Sequence, residues 1–112
     1  MKDNLNTSLL IDFYGGTLTE KQREALDMYY NLDLSLGEIA EELGVTRQSV
    51  RDTIKKGEER LLSLEEKIGM CSFAALIGIE CDKIEKEAAN LGGETKDNIL
   101  KSVAAIRSSM EL

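Results

Sequence analysis

The sequence predicts an all-α fold. Proline is absent, and most of the nine glycines lie between segments whose apolar residues recur at helical spacing. No segment shows the sustained alternation of apolar and polar residues that is typical of half-buried strands. The 112 residues are 42% hydrophobic and 31% charged, which is a globular balance. We therefore expect helices around one core, with a helical extension.

Two helices are predicted before the centre of the chain. Apolar residues at helical spacing from Leu5 to Tyr14 predict the first, which Gly15 and Gly16 would end. Thr19 is followed three residues later by Gln22, which is the capping-box pattern. The second helix is predicted to begin there. The predicted apolar face of this second helix contains Ala25, Met28, Tyr29 and Leu32.

A helix-turn-helix is predicted from Ser35 to about Lys56. Ser35 repeats the capping-box pattern at the start of a short helix, and Ala40 permits close approach of the next helix. Gly44 is suited to the left-handed conformation that ends a helix, and Thr46 caps the helix that follows. Two capped helices joined in this way are the arrangement that places a recognition helix in a DNA major groove.

The exposed side of that recognition helix carries the side chains that a partner would touch. At about 100° per residue, four of them fall within an arc of roughly 100° opposite Val50 and Ile54, and Arg47 lies beside that arc near the start of the helix. Their types suit either base reading or contact with phosphate, since Gln pairs with adenine, Arg with guanine, and Lys with guanine or phosphate. A solvated face would carry the same charges, and the one aspartate would repel phosphate. The candidate nucleic-acid-binding residues are Arg47, Gln48, Arg51, Asp52 and Lys55.

The recognition helix is predicted to continue past the motif. Its apolar residues alternate spacings of four and three, the seam pattern of a coiled coil, at Val50, Ile54, Gly57, Leu61, Leu64 and Ile68. A glycine inside a helix costs about 1 kcal/mol relative to alanine, so Gly57 indicates close approach of another helix or a local break. We expect a continuous helix.

Two further helices are predicted after Gly69. The first spans Cys71 to Ala89 and contains the apolar run from Phe73 to Ile79, which is too short to span a bilayer. Gly92 and Gly93 separate it from a last helix, with Thr95 as the expected cap and an apolar stripe of Ile99, Val103 and Ile106. We expect a helix-turn-helix domain over residues 1–69 and a helical region over residues 70–112 that packs on it or on a partner subunit.

Charge and composition exclude several classes of function. The net charge of −7 disfavours nonspecific attraction to nucleic acid, so a binding surface must be local. Cys71 and Cys81 have no CxxC spacing and no histidine to join them, so we expect neither a metal site nor a cofactor, and a cysteine nucleophile would lack its base. We expect a non-enzymatic protein without a membrane span. The absence of a signal segment predicts a cytoplasmic location.

Five segments carry a resemblance to a known family. They are residues 9–14 (LLIDFY), 18–22 (LTEKQ), 29–30 (YY), 34–55 and 65–67 (EEK). Over about residues 9–68 the sequence resembles the bacterial YlxM family, whose helix-turn-helix is similar to region four of sigma factors, which reads promoter DNA. Family members are commonly encoded beside the protein subunit of the signal recognition particle, which implies a regulatory role in that targeting pathway. The residues from Met70 onward match the family poorly.

Two functions follow as hypotheses. The first is a nucleic-acid-binding accessory of the signal recognition particle that contacts its RNA or its protein subunit. The second is a sequence-specific DNA-binding transcriptional regulator, and a module that binds only protein is a further alternative. We also expect a homodimer, in which the apolar run after Gly69 and the seam from Val50 to Ile68 share a symmetric interface.

Overall fold

The computed structural model describes residues 4–110, and the side chains of residues 6–110. This part of the chain contains six α-helices and no strand, which confirms the predicted all-α class. The helices are α1 (Asn4–Tyr14), α2 (Glu20–Tyr30), α3 (Leu36–Leu43), α4 (Arg47–Ile68), α5 (Met70–Ala88) and α6 (Gly93–Met110). A single 3-10 turn, Gly15–Thr17, follows α1. The chain divides into two compact units, Met1–Gly69 and Met70–Leu112.

The predicted capping boxes fix the starts of α2 and α3. The Thr19 hydroxyl accepts the backbone N–H of Gln22, and the Gln22 side chain accepts the Thr19 N–H, both at 3.1 Å. The same pair of bonds joins Ser35 and Glu38, at 3.0 and 3.1 Å. Each box satisfies two backbone donors that the first turn of a helix leaves without partners.

The core of the first unit lies where α2, α3 and α4 meet. Leu26, Ile39, Val50 and Leu61 are its largest fully buried side chains. Hydrophobic burial of this kind stabilises a fold by about 1.5–3 kcal/mol per side chain. Leu26 lies outside the predicted apolar face of α2, and Leu32, which is predicted to lie on it, is 61% exposed because the helix has already ended at Tyr30.

Two tyrosines attach α1 and α2 to the long helix α4. The Tyr14 hydroxyl donates to Glu65 Oε1 at 2.7 Å, and the Tyr30 hydroxyl donates to the Glu58 carboxylate. Both bonds are partly buried and join segments far apart in sequence. Because hydrogen bonds to a charged acceptor are the stronger kind, these two contribute to the orientation of α4.

Helix α4 is continuous through Gly57, as expected, and the glycine permits close approach of α2. The seam is however not free for a second copy of the chain. Val50, Ile54, Gly57 and Leu61 are buried within the first unit, and Ile68 at the end of the seam is 59% exposed. The predicted seam interface is therefore wrong, because a three-and-four spacing also fits helices packed within one chain.

The second unit is a pair of helices, α5 and α6, with a small core. Cys81, Ala88 and Val103 are buried, whereas Phe73, Leu76 and Ile79 of α5 are each about half exposed. Gly93, with a φ of +68°, begins α6 two residues before the predicted cap at Thr95, which instead lies inside the first turn. Between the helices, Arg107 donates to Asp82 at 2.6 Å and to Glu85. None of the helices within residues 4–110 combines the length and the apolar content that a membrane span requires.

Candidate nucleic-acid interface

The turn between α3 and α4 has the geometry that the sequence predicts. Gly44 has a φ of +69° and a ψ of +34°, the left-handed conformation that a Cβ atom disfavours. Its N–H and that of Val45 return to the Glu41 and Ala40 carbonyls at 3.3 and 3.0 Å. This pair of bonds is the Schellman arrangement, which ends α3 sharply and redirects the chain into the next helix.

The first turn of α4 starts shortly after this glycine. The Thr46 hydroxyl accepts the Ser49 N–H at 3.0 Å, which fixes the start of the helix. Ile39 of α3 and Val50 of α4 are 0% and 1% exposed, so the two helices share a dry contact. The opposite side of α4 is consequently left facing solvent.

Four of the five candidate contact residues lie on that exposed side, and Arg47 lies beside it as the first residue of α4. Arg47, Gln48, Arg51, Asp52 and Lys55 are each exposed. The structure thus brings the predicted set together on the exposed surface of the first half of α4. Gln48 Nε2 donates to Asp52 Oδ1 at 3.0 Å, so these two side chains hold each other in place.

The cations of this face are available to a ligand. Within residues 4–110, Arg47, Arg51 and Lys55 form no ion pair with a carboxylate. Arg47 reaches back over the start of α3, where its Cδ and Nε atoms lie 3.8 and 3.9 Å from the position that a Cβ on Gly37 would occupy. The positive charge of the face therefore extends from α4 onto the first turn of α3.

An aromatic cleft borders one edge of the face. It has a volume of about 600 Å³, and its lining includes Tyr29, Tyr30, Arg51, Lys55 and Glu58. The rings of Tyr29 and Tyr30 meet edge to face with centroids 5.0 Å apart. Burial, reinforced by the hydrogen bond to Glu58, raises the pKa of Tyr30 well above its ordinary value.

A polar cleft of about 480 Å³ borders the other edge, between α4 and the start of α2. Its lining includes Lys21 and Lys56, neither of which is among the five predicted contact residues. Lys56 adds to the positive charge of residues 46–56, which is visible in the sequence. Lys21 reaches the cleft only through the packing of α2 on α4, and the sequence has no signal for that.

The described residues show no arrangement suited to metal chemistry. Within residues 4–110, no group of three or more His, Cys, Asp or Glu side chains could hold a metal ion. Cys71 is half-buried and Cys81 is buried, and no disulfide joins them. The chemistry of the exposed face of α4 is that of hydrogen bonding and charge.

Comparison with known proteins yields one family. A family model named UPF0122, described as "Putative helix-turn-helix protein, YlxM / p13 like", matches residues 1–101. This is a family of helix-turn-helix proteins rather than of enzymes. The match extends through α5 and into α6, so the expectation that the family resemblance ends near Ile68 is wrong.

Individual relatives agree with the family model. A UPF0122 protein of Desulforamulus reducens is 40% identical over 99% of this chain and 96% of its own length. Another, from Thermoanaerobacter sp. strain X514, is 44% identical over 97% of this chain and 94% of its own. A third, from Acetivibrio thermocellus, is 56% identical over 56% of this chain and 54% of its own.

Proposed function

Because the chain belongs to the UPF0122 family of YlxM/p13-like helix-turn-helix proteins, we propose that it is a cytosolic regulator that binds nucleic acid through the exposed face of α4. It acts by binding rather than by catalysis. The observation that carries the proposal is the geometry of one face: three cations without ion pairs within residues 4–110 and the Gln48 amide project from a helix held by the Gly44 turn.

The roles of the five side chains follow from their chemistry. Arg51 and Gln48 lie near the start of the helix, where a recognition helix reads base edges, and both residue types form bidentate pairs with purines. Arg47 and Lys55 flank them and suit phosphate contacts, which position the protein without reading sequence. Asp52 limits the affinity for random sequence, since its carboxylate faces the same ligand.

The acidity of the chain bears on how such a protein would work. With a net charge of −7, the chain as a whole repels phosphates and so disfavours nonspecific binding. The short-range contacts made by the basic face must therefore outweigh this repulsion. We expect weak binding to random duplex DNA at physiological salt and tighter binding to one defined site.

The proposal also extends to the cellular process in which the chain acts. The family resemblance implies an accessory role at the signal recognition particle, with its RNA or protein subunit as partner, and the alternative is a transcriptional regulator that reads a DNA site. A module that binds only protein would leave the cations of α4 without a use. The two nucleic-acid roles require different probes, so one experiment separates them.

The test measures binding of the full chain by fluorescence anisotropy. One probe is duplex DNA selected from a random-sequence pool on the wild-type chain, and the other is the signal recognition particle RNA of the source organism. Arg47→Ala with Lys55→Ala should lower the affinity for whichever probe binds the wild-type chain by at least about tenfold, since each contact contributes on the order of 1 kcal/mol or more. Lys86→Ala with Lys101→Ala is the matched control, because it removes the same charge from exposed positions of the second unit.

Each result decides a different point. Binding of the RNA alone supports the accessory role, and binding of a selected duplex alone supports the transcriptional role. Equal losses in the two double variants would show that bulk charge, and not the face of α4, controls binding. If neither probe binds the wild-type chain at about 50 mM salt, where phosphate contacts are strong, the proposal is wrong.

A homodimer is also proposed, now without the seam of α4. Phe73, Leu76 and Ile79 lie three residues apart along α5 and are 51%, 55% and 53% exposed. A two-helix unit with so few buried side chains is smaller than those that fold stably without a partner surface. Light scattering at micromolar concentration checks this, and a mass of 12.4 kDa, that of one chain, would refute it.

A further inference from the structure

We propose that the polar cleft between α2 and α4 binds a backbone phosphate of the nucleic acid, with Lys21 and Lys56 as the residues that hold it. This inference rests on the proposed function and extends the interface from one helix to two. It adds two contact residues and assigns the path of one strand past the edge of α4.

The two walls of the cleft are held at a fixed separation. Below it, α2 and α4 touch at Gly57, where an added Cβ would fall 3.4 Å from Leu26 Cγ and 3.6 Å from Gln22 Cβ. The Thr19 capping box fixes the first turn of α2, and Thr46 fixes that of α4. The lysines are therefore carried by two rigid helices and not by a loop.

The charge of the cleft suits an anion. Lys21 on one wall and Lys56 on the other are both exposed, and within residues 4–110 neither forms an ion pair. Among the described residues, Asp52 is the one acidic residue of the lining, and its Oδ1 atom already accepts the Gln48 amide at 3.0 Å. The pair of cations thus faces a single carboxylate that is partly compensated.

The remaining lining supplies hydrogen-bond donors. Thr46, Ser49 and Thr53 place hydroxyl groups along the α4 wall, and every described residue that lines the cleft is polar or charged. Hydroxyl and ammonium groups are the usual partners of phosphate oxygens, whereas a base or an apolar peptide would need an apolar surface. The chemistry of the lining therefore favours phosphate over a base.

The position of the cleft identifies the source of that phosphate. Gln48 and Asp52 belong both to the exposed face of α4 and to the lining of the cleft, so the two surfaces are continuous. A strand whose bases meet Gln48 would carry its backbone across the edge where the lysines lie. In helix-turn-helix complexes such flanking contacts set the register of the recognition helix.

The test compares the salt dependence of binding for variants of the full chain. The probe is fluorescein-labelled duplex DNA selected from a random-sequence pool on the wild-type chain, or the particle RNA if that is the probe that binds. Lys21→Gln with Lys56→Gln should make the negative slope of log K against log salt shallower by about 1.8 for a duplex, or by about 1.4 for a single strand, since each lost phosphate contact accounts for about 0.9 or 0.7. The preference for the selected over a scrambled probe should stay unchanged, because phosphate contacts carry no sequence information.

The control for net charge is Lys86→Gln with Lys101→Gln, which changes the total by the same amount in the second unit. It should leave the slope within experimental error of the wild type. A Lys21 and Lys56 double variant that keeps the wild-type slope, while Arg47→Ala with Lys55→Ala loses binding, overturns the cleft assignment and leaves the proposed function standing. Absence of binding by the wild-type chain to either probe removes both.

Discussion

Gly57 of α4 and Leu26 of α2 approach so closely that a Cβ atom on Gly57 would lie 2.6 Å from Leu26 Cδ1. Leu26 is 0% exposed, so its side chain could make room only by moving among other buried atoms. This contact explains why a helix of 22 residues keeps a glycine in its middle. It also sets the distance between the two helices that carry the recognition face and the polar cleft.

Gly57→Ala is expected to destabilise the chain in spite of the better helix propensity of alanine. Overpacking a tight core costs about 1–3 kcal/mol, against a gain of about 1 kcal/mol from the propensity. We expect a net loss on the order of 1 kcal/mol in the free energy of unfolding, measured by urea titration with far-UV circular dichroism. A matched Leu26→Ala background should reduce this loss, because it removes the atom that the new methyl group meets.

Gly78→Ala in α5 is expected to have the opposite sign. Gly78 also lies inside a long helix, but apart from its chain neighbours and the backbone of its own helix no described atom lies within 4 Å of the position of its Cβ. Alanine should therefore stabilise the helix by about 0.5–1 kcal/mol, seen as a higher midpoint in the same urea titration. A loss of stability would show that another surface packs against Gly78 in solution.

The elements that the sequence predicts well are those decided by neighbouring residues. Thr19, Ser35, Gly44 and Thr46 act through bonds to residues within five positions, so their roles are visible in a short window of sequence. The face of α4 follows from helical periodicity in the same way. Periodicity alone is enough to assign Gln48, Arg51, Asp52 and Lys55 to one side of the helix, with Arg47 beside them at its start.

The features that escape prediction depend on distant segments. The buried position of Leu26 depends on how α2 is rotated against α4, and the apolar pattern of α2 fits more than one rotation. The place of Lys21 beside Lys56 follows from the same packing. The spacing along α4 wrongly predicts an interface with a second copy because periodicity identifies a buried face without identifying what buries it.

Tyr30 is expected to make the free energy of unfolding fall as the pH rises in the alkaline range. Burial first, and then the hydrogen bond and charge of Glu58, raise the pKa of Tyr30 in the folded chain above the ordinary value of 10.0. The folded state then holds the proton more tightly than the unfolded state, so this stabilisation is complete below about pH 10 and is lost as the pH rises above it.

Tyr30→Phe provides the measurement for that pH dependence. The variant should be less stable than the wild type at about pH 8 by about 0.5–1.5 kcal/mol, because it lacks the hydrogen bond to Glu58. The difference should shrink between about pH 8 and about pH 10.5 in urea titrations, since only the wild type loses stability through this hydroxyl. Lysine deprotonation affects both proteins and cancels in the comparison. A difference that stays constant over this range would contradict the assignment.

Asp52→Asn is expected to strengthen nucleic-acid binding. The substitution keeps the shape of the side chain and an oxygen that can accept the Gln48 amide, while it removes the one negative charge among the five residues of the recognition face. Repulsion between this carboxylate and a phosphate a few ångströms away amounts to roughly 0.5–1 kcal/mol in water, so affinity should rise about 2- to 5-fold. Asp97→Asn, at an exposed position of α6, makes the same charge change elsewhere and should have little effect in the same anisotropy titration.

Weaker binding by Asp52→Asn would instead mean that the carboxylate accepts a hydrogen bond from the ligand. A loss confined to probes with one particular cytosine would then identify Asp52 as a base-reading residue.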